Sequence, residues 1–179
     1  MHQVIIDYWF SERVQKKCWG KDPVFDEEIR ERFLGLYKRA VAGELVLWRV
    51  TPEGRLAEVI VLDQFPRNMF RDTAGAFAYD YLARKCTRAA VESGDNNALT
   101  STQQGFLYMP LMHSEEAADH ELAVQLYASH PELASKLQFE LRHKVIIDRF
   151  GRYPHRNAIL GRENTDEETL FLQGPGSSF

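Results

Sequence analysis

The chain has 179 residues, 44% hydrophobic and 12% aromatic, and its 22 Lys and Arg against 26 Asp and Glu give a formal net charge of −4. A chain of this length buries roughly 70% of its unfolded surface in one domain, so it needs no disulfide or metal to hold a core. The acidic balance argues against a dedicated nucleic-acid binder. The two cysteines, Cys18 and Cys86, are too few for a disulfide framework and lack metal-type spacing, which points to free thiols in a reducing, cytoplasmic setting. No basic start precedes an apolar stretch, and the most apolar window, Leu56 to Leu62, is interrupted by Glu58 and far shorter than a membrane span.

Apolar residues recur at helical spacing almost throughout, predicting helices over 3–17, 26–42, 52–65, 72–93, 102–109, 114–129, 131–149, 155–160 and 165–173. The clearest stripe runs from Ala74 through Phe77, Tyr81, Cys86 and Ala90 and ends at Gly94. Starts carry their own punctuation, because a side-chain oxygen at the cap satisfies amides left free in the first turn. Thr51 precedes Pro52, Ser101 is followed by Gln104 and Thr165 by Glu168, both in capping-box spacing, and Ser114 precedes two glutamates. Leu45 to Val50 reads locally as a strand but has no second strand to pair with, so it is expected to be an irregular link. The expectation is a single all-α domain over residues 1–179, with only the tail, 174–179, mobile or folded back.

Three stretches carry candidate chemistry. Between Arg149 and Arg162, four arginines fall within 14 residues that contain no acid, so a +4 segment sits in a chain whose remainder carries −8. Arg149, Arg152, Arg156 and Arg162, with His155 and Asn157 at the start of a short helix, are candidates for holding a carboxylate or phosphate. The alternative is that these arginines satisfy carbonyls and acids of neighbouring helices. In the second stretch, Asp63 shares a helical stripe with Leu56, Val59 and Ile60, where an apolar residue belongs. A buried carboxylate needs a paired partner; Arg67 is the near candidate, the distant arginines the others, and Asn68 is a polar neighbour.

The third stretch places His113, Ser114 and Glu115 together. Ser114 is expected to cap a helix, and no Gly-x-Ser-x-Gly context supports it as a nucleophile beside His113. Glu116 and His120 are expected on a solvated face, and His143 at a satisfied core boundary. No metal motif, phosphate loop or dinucleotide fingerprint is present, so neither metal nor cofactor is predicted.

The strings LDQFPRNMFR (62–71), YMPLMHSE (108–115) and RFGRYPHRNAILGR (149–162) resemble the signatures of a mainly bacterial family, domain of unknown function nine-two-four. The likeness extends from Asp7-Tyr8-Trp9-Phe10 to the closing Pro175-Gly176-Ser177-Ser178-Phe179. The resemblance implies an all-helical, tetratricopeptide-like array of antiparallel helix pairs, although no 34-residue period is present. It implies no function.

Two functions compete. In the first, the three stretches converge on a pocket for a small anionic ligand: the arginines with Arg67, Asn68, Ser114 and Asn157 bind it, and Asp63, His113, Glu115 and His155 are available for proton transfer. In the second, stacked helix pairs offer a groove to a peptide or protein. RNA binding has weak support, because aromatic interleaving is limited to Phe150 and Tyr153, and the oligomeric state is open.

Overall fold

Hydroxyl caps and prolines set most of the helix starts. In a computed structural model, which describes residues 2–178, the first predicted helix is cut in two. Ser11 Oγ accepts from the Val14 amide and donates to the Tyr8 carbonyl, so α1 (His2–Trp9) stops and α2 (Glu12–Gln15) begins. Helix α3 (Pro23–Val41) starts earlier than expected, with Pro23 in its first turn and the Asp22 carboxylate accepting from Val24 and Phe25. Leu45–Val50 is not extended; Val46–Val50 is a 3-10 turn, and the described residues contain no strand.

Helix α4 (Pro52–Met69) begins as the sequence indicates, with Thr51 Oγ1 accepting from Gly54. It runs four residues past the expected stop at 65. Pro66 sits inside it and removes one internal bond, while Arg67 Nη1 donates 2.6 Å to the Asp63 carbonyl. Fourteen of its 18 residues are buried, so α4 is the axis around which α1, α3 and α5 pack.

The predicted helix over 72–93 is also corrected. Asp72 takes a left-handed backbone (φ 59°), a short 3-10 turn follows at Ala74–Ala76, and α5 (Asp80–Glu92) starts only afterwards. Helix α6 (Ser101–Leu107) is capped by Thr100 with Gln103, one residue before the expected box, and α7 (Met109–Met112) continues the chain after Tyr108. Ser114 is not the cap of α8 (Ala117–Ala128); Glu116 occupies that position. Helix α9 (Ala134–Phe150) ends on Gly151 at φ 67°, and residues 154–156 form a 3-10 turn in place of the helix expected at 155–160. Helix α10 (Asp166–Leu172) carries the predicted Thr165–Glu168 capping box.

The main core runs from α1 to α8, and Ile146, Ile147 and Tyr153, with Phe150 and Phe171, form a smaller cluster that seats the carboxyl-terminal segment. Among the described residues no helix is long and apolar enough to cross a membrane. Both cysteines are free. Of the tail expected to be mobile or folded back, Ser177 is buried and donates 3.3 Å to the Leu172 carbonyl, whereas Phe179 lies outside the described residues.

Candidate functional site

Asp63 occupies the buried stripe of α4 with no exposed surface, and its carboxylate is fully committed. His113 Nδ1 lies 2.9 and 3.1 Å from its two oxygens, Arg67 Nη1 is 3.1 Å from Oδ1, and Gln64 Nε2 donates to Oδ2. Burial alone would raise this carboxyl, but the charges of Arg67 and His113 outweigh it and hold the group at about 2. An ionised Asp63 accepts the proton of Nδ1, which leaves the lone pair on Nε2. Burial and the Arg67 charge lower the His113 pKa, so the ring is neutral at pH 7; Nε2 makes no hydrogen bond among the described residues and 15% of the side chain is exposed. Arg67 continues the network to the two oxygens of Asp80, at 3.1 and 2.9 Å.

Arg156 joins from the loop after α9. Its Nη1 donates 2.9 Å to the His113 carbonyl, and its guanidinium lies between the Phe77 and Tyr153 rings, at 4.6 and 4.5 Å from their centroids. Asp80 Oδ2 is 4.0 Å away and already engaged by Arg67. The Arg156 side chain is only 9% exposed, no carboxylate of the described residues reaches hydrogen-bond distance, and Nε is buried without a partner. Burial and the neighbouring Arg67 lower its pKa to about 10. A buried cation with this little compensation is costly.

The other arginines of the loop are neutralised inside the chain. Arg162 grips Glu115 through both nitrogens (2.6 and 2.9 Å) and Arg152 grips Glu168 (2.6 and 2.8 Å). Arg149 pairs with exposed Glu167. The acids lie just past the acid-free window, at the start of α10, or some 40 residues earlier, so a local count along the chain missed them. Glu115 also accepts from the Tyr153 amide (2.9 Å); burial would raise its pKa, but these bonds keep it lowered.

The three stretches therefore meet through Asp63, His113, Glu115 and Arg156, with Tyr153 adding a hydroxyl bond to the Met112 carbonyl. Asn157 supports the loop by bonding Asn164, Glu168 and Arg162, while half-buried His155 packs on the Tyr153 ring with its pKa lowered to about 4 by burial and Arg156. Asn68 does not join them; it donates to Asp26, which also takes Arg71. Ser114 does not face His113: its Oγ accepts from Arg84 and from the Glu116 amide.

One expectation is reversed nearby. His120 is fully buried instead of solvated, with Nδ1 2.7 Å from buried Glu140 and Nε2 2.9 Å from the Ser114 carbonyl. Its position followed an apparently polar turn, and the partner lies one helix away on α9. His143 is buried with Nδ1 on the Phe139 carbonyl, as the sequence indicated.

Comparison with known proteins gives a consistent answer. A solved structure described as a protein of unknown function, ATU0120, from Agrobacterium tumefaciens is 36% identical, covers 97% of each chain and superposes with a TM-score of 0.89. No curated protein matches the chain. The family model described as "Bacterial protein of unknown function (DUF924)" matches residues 5–176, and the chain belongs to that family.

Proposed function

We propose that the chain binds a small anionic compound, a carboxylate or phosphate, at Arg156, with His113 Nε2 beside it as a proton acceptor. One observation carries the reading: among the described residues, Arg156 alone of the four loop arginines is without a hydrogen-bonded carboxylate, and it is the most buried of them. An incoming anion supplies the missing charge, and the neutral, Asp63-oriented imidazole supplies a base near pH 7. The tetratricopeptide-like stacking of helix pairs belongs to this proposal as the scaffold that brings α4, the α7–α8 corner and the α9–α10 loop together. A thermal-shift screen of phosphates and carboxylates on wild type and Arg156→Ala tests it. At least one compound whose rise in Tm disappears in the variant is expected; no rise with any compound, or equal rises in both proteins with every compound that gives one, contradicts it.

A second reading, the interaction module, is favoured by a groove between α9 and the segment after α10, where Phe139, Leu141, Val145 and neighbouring Leu170 are exposed. Its charged lining residue, Arg142, has no ion pair among the described residues, so the fitting occupant is an apolar peptide with one acid opposite Arg142.

A further inference from the structure

A partly enclosed cavity of about 140 Å³ lies between the end of α3, the 3-10 turn at Val46–Val50, α4 and α5, with neither Arg156 nor His113 in its wall. Its wall combines two chemistries. Val41, Leu62, Leu82 and Cys86 present apolar surface, and the Cys86 thiol, pushed up to about 11 by burial and by Glu58, carries no charge at neutral pH. Arg49, Arg55 and Lys85 bring three positive charges.

Two carboxylates oppose these cations, and both are already engaged. Glu58 has no exposed surface and gives both oxygens to Arg49, at 2.6 and 2.7 Å. Asp95 Oδ2 lies 2.6 Å from Arg55 Nε but off the hydrogen-bond direction, which leaves that buried N–H without an acceptor. Lys85 has no ion pair among the described residues. The cavity thus keeps one positive charge in excess and one donor unsatisfied.

We propose that this cavity binds a short aliphatic carboxylate, its head on Lys85 and Arg55 and its tail against Leu62, Leu82 and Cys86. The volume holds roughly four or five water-sized groups at about 30 Å³ each, which fits an acid of a few carbons. An alkylammonium is repelled by the three cations. A multiply charged phosphate finds no donors along the apolar wall. The site is independent of the one at Arg156.

The test is a two-dimensional NMR titration with sodium butyrate, with butan-1-ol and butylammonium as controls. Saturable shifts at Val41, Cys86 and Ala89 are expected with butyrate and with neither control. Lys85 is exposed, so Lys85→Glu folds normally and is expected to weaken butyrate binding by about tenfold or more. Arg156→Ala is expected to bind butyrate as wild type does, which separates this site from the loop. Non-saturable shifts, an equal response to butan-1-ol, or undiminished binding in Lys85→Glu overturns the proposal.

Discussion

Asp63 shows how one misplaced polar residue organises its surroundings. An apolar stripe that is interrupted by a carboxylate forces Arg67, Gln64 and His113 toward it, because the ion has no water to turn to. Asp63→Ala is expected to lower the unfolding free energy by about 3–5 kcal/mol in urea titration, since it leaves Arg67 and His113 buried beside a cavity. Arg149→Ala, which breaks a pair whose members are both half-exposed, is expected to change stability very little. That Asp63 needs a partner, and that Arg67 supplies one, is legible from the spacing of four residues. The second partner of Arg67, Asp80, is not, because it sits across a turn that reads as continuous helix.

At the scale of elements, close approach matters more than propensity at Gly54. A Cβ built there would lie 1.9 Å from the Trp48 carbonyl oxygen and 2.8 Å from its carbon, so the turn before α4 must move to admit any side chain. Alanine favours a helix over glycine by about 1 kcal/mol, yet Gly54→Ala is expected to destabilise by about 2 kcal/mol or more, read as a lower urea midpoint. The helix starts at Thr51 and Thr165 were legible in the sequence because their contacts span three residues. The breaks at Ser11 and Asp72 were not, because an uninterrupted apolar stripe conceals a turn whose cause is a hydroxyl bond or a left-handed residue. The partners of the loop arginines were hidden for a similar reason: neutrality is reached in space, by Glu115 and α10, and a charge count along the chain sees only neighbours.

Over the whole molecule, three histidines are held unprotonated. Burial lowers the pKa of His143 to about 3 and of His155 to about 4, and lowers that of His113. The unfolded chain takes up protons at these rings near pH 6.5 and the folded chain does not, so their stabilisation is complete above that pH and is lost as pH falls through 6.5 toward 4. Each ring contributes about 1.4 kcal/mol per pH unit inside its window. Urea unfolding at pH 7, 6, 5 and 4 is expected to show this decline, with a slope shallower by about one proton in His143→Gln; an unchanged slope would show that His143 does not contribute to it.

Sensitivity to acid and the proposed ligand site meet in the same corner, where α4, α7 and the α9–α10 loop exchange charges, and the claim that joins them is that Arg156 is the uncompensated member among the described residues. Comparing the unfolding free energies of Arg156→Met and Arg67→Met without ligand tests it most directly. Arg67→Met leaves Asp63 with the neutral partners His113 and Gln64 alone and takes both hydrogen bonds from Asp80, so it is expected to cost at least about 2 kcal/mol more than Arg156→Met. Equal losses in the two variants would make Arg156 a structural ion-pair partner and contradict its uncompensated charge.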